Sequence, residues 1–216
     1  SHTVMSPSLL TAIEQFKEKY SNAKHVQYEP FSTSAILRAN QEAFGKAWIP
    51  NYRFDKAKCV VGIECDFLGT WVSPTEYAAD YIKNRKLNDE QSATAVTTMS
   101  VHYQIESHMS LTGSNADQRV LIKPSEIAAA VKMLFNEVAG LTGGNVNFAW
   151  PKAAAGIKAA AKKLVERKGE GSLVVCGTND INIQKVVNGI NEMLGAYGKT
   201  ILWDGFSKQR NDNDND

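Results

Sequence analysis

The chain has 216 residues, a formal net charge of +1 and 43% apolar residues, enough for one large α/β domain or two small ones with a substantial core. That near-neutral balance excludes a polybasic nucleic-acid surface, and with 9% aromatic residues it also excludes a disordered acidic module. No apolar run approaches the roughly 20 residues a bilayer span requires, and no signal peptide is visible.

Ser1-His2 reads as the remnant of a cleaved tag, so residues 1–5 are expected to be tag or disordered and an upstream signal or domain to have been removed. Ser6-Pro7 then opens a helix, with Ser6 as N-cap, Pro7 in the first turn and Leu10, Ile13, Phe16 and Tyr20 on one stripe. A short strand is predicted over 24–30, and a helix over 32–44 that Gly45 ends. Residues 48–54 read as an irregular link before a buried strand over 59–63. Pro74 to Asn84 predicts a helix with Ser73 as its cap. The polar run 87–98 predicts a surface loop, followed by a strand over 100–106.

A helix over 125–139 buries Ile127, Val131, Leu134, Phe135 and Val138 on one stripe. Glycines 140, 143 and 144 with Pro151 then mark a break. A Lys- and Ala-rich helix over 152–167 follows, whose Lys162, Lys163, Arg167 and Lys168 read as a solvated face. A buried strand within 172–176, a helix over 183–197 and a last strand over 200–203 close the pattern. Strands and helices alternate with connections long enough for crossovers. This predicts α/β architecture: a doubly wound, mostly parallel sheet with helices on both faces. The domain is expected over 6–207, with a sub-boundary near 140–151. The Asn-Asp tail 208–216 is expected to be disordered.

Two segments stand out, 59–76 and 110–126. In each, a short apolar run or its end leads into a polar, Gly-containing loop and then a capped helix start, as where a parallel sheet presents loops to a ligand. Asp66 is an acid of the kind that accepts ribose hydroxyls, and Gly69 permits close backbone approach. Thr112, Gly113, Ser114 and Asn115 form a group of small donors able to cradle a phosphate, or an ordinary turn. Arg119 is placed to pair with a phosphate or with Asp117. No GxGxxG follows the first strand and no GxxxxGK[ST] occurs, which argues against a free-standing nicotinamide or ATP site.

Reactive groups are scarce. His102 and His108 flank a strand end but share a face only if the strand continues through Ser107, and no Ser-His-Asp or Cys-His set can be assembled. The spacing of Cys59, Cys65 and Cys176 matches no metal-ligand pattern. Cys59 and Cys176 read as small buried hydrophobes, and Cys65, at a strand end, as partly exposed. An odd thiol count without a disulfide framework favours a reducing compartment, or a protein that folds before export. Phe67 and Trp71 read as packing residues.

The segments FDKAKCVVGIECDFLGTWVSPTEYAADYIKNRK, MSVHYQIESHMSLTGSNADQRVLIKPSE and SLVVCGTND, with a final AYGKTI, resemble the molybdopterin-oxidoreductase-like part of the B subunit of alternative complex III. That family is the quinol-oxidising respiratory complex of Bacteroidetes and related bacteria, often described as variant twin-arginine-translocated molybdopterin oxidoreductases. The resemblance spans roughly residues 24–210 and is specific at the two loops. More distantly, Ala57 to Gly62 with Asp66, and Ala116-Asp117 with Pro124-Ser125-Glu126, are similar to segments that hold a guanine nucleotide in bis-guanine-dinucleotide molybdenum enzymes. Ser125 and Glu126 depart from that pattern, where glycine and aspartate are usual. The chain also has no N-terminal iron-sulfur cysteine cluster and no visible molybdenum ligand.

The resemblance implies a Rossmann-like fold kept without its molybdenum cofactor. It implies a non-catalytic scaffold on the periplasmic side of the inner membrane, bound to other subunits of a respiratory complex and to a downstream ferredoxin-like iron-sulfur domain. A vestigial nucleotide site would comprise Asp66, Gly69, Thr70, Ser110, Thr112, Gly113, Ser114, Asn115, Asp117 and Glu126. The chain itself would contribute no cofactor, no metal ligand, no membrane span and no contact with nucleic acid. The alternative is a fragment of a true oxidoreductase that binds the nucleotide part of molybdopterin guanine dinucleotide. Without the resemblance, a cytoplasmic location is expected.

Overall fold

The computed structural model describes residues 1–29, 32–86, 99–144 and 154–207. Four strands, β2 (Cys59–Ile63), β3 (Val101–Glu106), β4 (Gln118–Leu121) and β5 (Ser172–Cys176), form a parallel sheet in the order β4-β3-β2-β5. Two further strands, β1 (Ile49–Tyr52) and β6 (Ile201–Ser207), pair antiparallel beside it. The helices are α1 (Pro7–Lys19), α2 (Ser34–Phe44), α3 (Pro74–Lys83), α4 (Leu111–Ser114), α5 (Ile127–Thr142), α6 (Ala155–Glu166) and α7 (Ile181–Met193). The doubly wound α/β expectation therefore holds.

Period-two alternation sends each strand's side chains to two separate cores. Cys59, Val61 and Ile63 of β2, with Tyr103, Ile105, Val174 and Cys176, meet Val131, Leu134, Ile157, Leu164, Val187 and Ile190 from α5, α6 and α7. On the other face, Val60, Leu173 and Val175 meet Ile36 and Leu37 of α2, Tyr77 and Tyr81 of α3, and Ile49, Tyr52 and Ile201 of the antiparallel pair. Phe54 and Phe67 stack at 4.4 Å in this second core, and Trp71 tilts over Tyr52 at 5.2 Å. Both aromatic packing residues and all three thiols are buried, Cys65 included, which corrects the partial exposure expected of it.

The outward edge of β5 is closed by side chains instead of a further strand. The Asn191 amide of α7 donates to Val174 O at 2.8 Å and accepts from Val174 N at 3.0 Å. The Thr200 hydroxyl donates to Ser172 O at 2.7 Å and the Gln184 amide donates to Cys176 O at 3.0 Å. Asn84, at the end of α3, binds the carbonyls of Phe54, Asp55 and Ala57 and fastens that helix to the turn entering β2.

Several expectations change. No strand forms over the described residues 24–29. The chain there is extended and meets residues 1–4, with Tyr28 N donating to Ser1 O, Ser1 N to Val26 O and Thr3 N to Glu29 Oε1. The link 48–54 contains β1, whose register with β6 is irregular between Ile49 and Asn51. Pro50, without an N–H, and Gly205, at φ 68°, occupy that irregular stretch. Strand β4 falls where only a loop was expected. The surface loop 87–98, most of the break at 140–151 and the tail 208–216 lie outside the described residues. Ser73 stands at the N-cap of α3 but makes no side-chain cap bond, whereas Ser6 caps α1 and Gly45, at φ 69°, ends α2.

Asn191→Ala orphans a buried N–H and a buried C=O of β5. It is expected to lower the urea-unfolding free energy by about 2–4 kcal/mol. A loss below about 0.5 kcal/mol would mean the edge is sealed by something else.

Candidate functional site

The chain runs from β2 through α3 to β3 and on to β4 at one edge, then returns by α5 and α6 to β5 on the other side of β2. The carboxyl ends of β2 and β5 thus flank a topological switch point, where open α/β sheets leave a crevice. A cleft of about 680 Å³ lies there. Glu64, Asp66, Thr70 and Trp71 wall it after β2, Glu106 at the end of β3 with His108 and Ser110 beyond it, and Gly177 after β5. Ser32 and Thr33, ahead of α2, complete the rim. Among the described residues no lysine or arginine lines it.

Crowding at the strand ends dictates the local sequence. Gly177 N donates to Ile63 O at 3.0 Å, and a Cβ on Gly177 would lie 2.0 Å from Glu64 O. Only glycine lets the two exits approach so closely. Glu64 (φ 45°) and Val72 (φ 52°) both hold left-handed backbone at the cleft. For β-branched Val72 that conformation costs about 1–3 kcal/mol, a strain that clusters at functional sites.

The two loops are bolted together beneath the cleft. Asp66 Oδ1 accepts from Thr112 N at 3.0 Å and from Thr112 Oγ1 at 2.8 Å, while Leu68 N donates to Thr112 Oγ1 at 2.9 Å. Ser110 caps α4 by accepting from Gly113 N at 2.9 Å, and its hydroxyl donates to Glu106 Oε2 at 2.7 Å. Glu106 is 1% exposed and also accepts from Ser110 N, from Gln104 Nε2 at 3.3 Å and from Arg119 Nε at 2.5 Å. Burial alone would raise its pKa. The donors from Ser110, Arg119 and Gln104 outweigh that and hold it below the usual carboxylate range.

Glu106 ends a polar row. His102, Gln104 and Glu106 occupy one face of β3, all fully or nearly fully buried, on the face where β2 carries Val60 and Gly62 and β5 carries Leu173 and Val175. Gln104 Nε2 faces two acceptors, Cys65 O and Glu106 Oε2, which fixes its amide orientation and leaves Oε1 to accept from His102 Nε2 at 3.4 Å. His102 Nδ1 is then an acceptor, and Tyr81 Oη donates to it at 2.9 Å. Gly62 on β2 makes the space, since a Cβ there would lie 2.1 Å from Gln104 Oε1. Burial lowers His102 to about 4, so it is neutral at pH 7.

The residues read from the sequence as a nucleotide site do not come together in one place. Asp66, Thr70 and Ser110 wall the cleft. Thr112 and Gly113 are buried under it, and Gly69 abuts the Asp66 carboxylate, where a Cβ would lie 2.1 Å from Oδ2. Ser114 and Asn115 are exposed and bond back to Leu111 O. Asp117 sits toward the start of β3, accepting from His102 N at 2.7 Å and paired with Arg85 at 2.7 Å. Glu126 accepts from Lys123 N at the start of α5. Arg119 pairs with Glu106, not with Asp117. His102 and His108 do not meet: the first is buried, and the second is 74% exposed at the cleft mouth with Nδ1 3.7 Å from Glu64 Oε2.

Glu64 and Glu106 escaped the sequence reading. The alternation in VHYQIE, with His, Gln and Glu two residues apart, was the signal for the second. Burial pushes the Cys59 thiol up to about 12 and raises Cys65 and Cys176 as well, so none is activated as a nucleophile. Among the described residues no group of three or more His, Cys, Asp or Glu side chains is arranged to hold a metal, and no helix is long and apolar enough to cross a membrane. No protein-family model matches the chain, and no curated protein matches it either.

Two measurements probe this arrangement. A Cβ on Gly113 would lie 1.9 Å from Glu106 Oε1, so Gly113→Ala is expected to cost about 1–3 kcal/mol of stability. Glu106→Asp, which withdraws the carboxylate, should make the double variant less damaged than the sum of the two; strict additivity would disprove the clash.

The second measurement concerns pH. His102 falls from an ordinary 6.5 to about 4 on folding, so between those values the unfolded chain binds the extra proton. Its contribution is complete above pH 6.5 and is lost as pH falls toward 4, by about 3 kcal/mol in all. Glu106 and Asp117, both held low, lose theirs as pH falls below their ordinary values of 4.5 and 3.8 toward their depressed ones, so the His102 slope is read above pH 5. Urea unfolding across this window should show the slope in the natural chain and not in His102→Asn. An equal slope in both would exclude His102 as its source.

Proposed function

We propose that the chain is a non-catalytic scaffold domain of a periplasm-facing, quinol-oxidising electron-transfer complex. In this reading it keeps the nucleotide-binding fold of molybdopterin oxidoreductases, holds no cofactor of its own, and contacts the other subunits and a ferredoxin-like iron-sulfur domain. The observation that carries the reading is that the loop groups a nucleotide site would use for phosphate are engaged by the protein itself. Asp66 is tied to Thr112, Ser110 to Glu106 and Gly113, and Arg119 to Glu106.

The same pattern argues against the rival, a domain that holds the nucleotide part of molybdopterin guanine dinucleotide. A diphosphate needs cations or free N–H donors. The cleft offers it three carboxylates, of Glu64, Asp66 and Glu106, and only the last has a neutralising arginine. The buried thiols and the neutral, enclosed His102 support a site without covalent or acid-base chemistry.

Extraction of native membranes in mild detergent should recover the chain at fixed stoichiometry with other subunits of a membrane-bound complex and with a ferredoxin-like iron-sulfur domain. Isothermal titration with GMP and GDP should give no heat of binding at millimolar ligand. Recovery of the chain as a free protein would overturn the scaffold reading, and saturable GDP binding would restore the rival.

A further inference from the structure

The cleft has hydrogen-bonding capacity that the protein leaves unused, and it is of two opposite kinds. Among the described residues, Asp66 Oδ2 receives only a long contact from Thr70 Oγ1 at 3.5 Å, and Glu64 Oε2 has only His108 Nδ1 at 3.7 Å. Both are acceptors in want of donors. Trp71, in the same wall, is 7% exposed, and its indole Nε1–H is buried with no acceptor among the described residues. A buried donor left unpaired costs about 1–3 kcal/mol, and such groups in folded proteins call for a partner.

Each ligand charge class satisfies only half of this. A cation would pair with the carboxylates and leave the indole N–H orphaned. An anion would accept from the indole but face Glu64 and Asp66 without a lysine or arginine among the described lining residues. A hydroxyl both donates and accepts. We infer that the cleft binds a neutral, polyhydroxylated small molecule, with hydroxyls donating to Asp66 and Glu64 and another accepting from Trp71. The volume of about 680 Å³ suits a sugar or a nucleoside without phosphate. The indole nitrogen is covered, so this part of the inference requires the cleft wall at Trp71 to open toward a ligand hydroxyl. This inference stands apart from the scaffold assignment, since a domain with or without partner subunits can hold such a ligand.

The test is saturation-transfer NMR and calorimetry on the full chain with ribose, glucose, galactose and guanosine as polyols, putrescine as the cation and GMP as the anion. Binding of at least one polyol is expected at millimolar affinity, with guanosine favoured over GMP. Trp71→Phe removes the N–H together with the five-membered half of the indole, so it should weaken polyol binding by about tenfold. Its melting temperature should fall, because the smaller ring leaves a cavity against Tyr52 and Tyr77, so binding is compared well below the unfolding transition. Glu64→Gln, which still accepts from Ser107 N, should weaken polyol binding without loss of fold. The inference is overturned if none of the four polyols binds, if putrescine or GMP binds more tightly than every polyol, or if Trp71→Phe binds polyols unchanged.

Discussion

Much of this structure is arranged around one buried carboxylate. Glu106 ends the central strand β3 at 1% exposure, where an uncompensated charge would cost several kcal/mol. Its compensation recruits residues from four places: Gln104 on its own strand, the side chain and backbone of Ser110, Arg119 of β4, and the bare backbone of Gly113. Ser110 then caps α4, Arg119 draws β4 onto β3, and Gln104 demands a glycine opposite it at position 62. The loop after β3 is therefore shaped by the electrostatics of the strand that precedes it. What reads locally as a phosphate-cradling turn is largely the solvation shell of an internal anion.

The legibility of the fold followed the range of its determinants. Strands β2 and β5 carry unbroken apolar runs and helices α1, α2 and α5 carry caps or stripes within their own sequence, so they could be read directly. Strand β1 could not be, because Pro50-Asn51 interrupts its pattern and its partner β6 lies some 150 residues downstream. Strand β4 has only one inward-leaning residue, Val120, and its placement depends on the Arg119–Glu106 pair. The switch-point cleft was foreseen in outline from the two loops. Its acidic character was not, since Glu64 contributes through a strained backbone and Glu106 through the alternation of a strand whose other residues looked like ordinary core.

The two faces of the sheet are built on different chemistry. One is an aliphatic core under three helices. The other mixes an aromatic group, Phe54, Phe67, Trp71, Tyr77 and Tyr81, with the polar row of β3. The hydrogen bonds from Tyr81 through His102 and Gln104 to Glu106 all point one way. Reversing any one would set two donors or two acceptors against each other, so the row holds a single arrangement. A face organised in this way favours rigidity at the loops above it, which suits a surface that must present a fixed shape to a ligand or a neighbouring subunit.

The side-chain closure of β5 has a consequence for how the molecule can associate. With Asn191, Thr200 and Gln184 occupying that edge, the parallel sheet is finished on one flank, and among the described residues it can be joined only along β4. A sheet with a single open margin cannot propagate from copy to copy. Two molecules meeting there would consume each other's margin and stop at a pair, so this sheet is protected by its topology against fibrous growth.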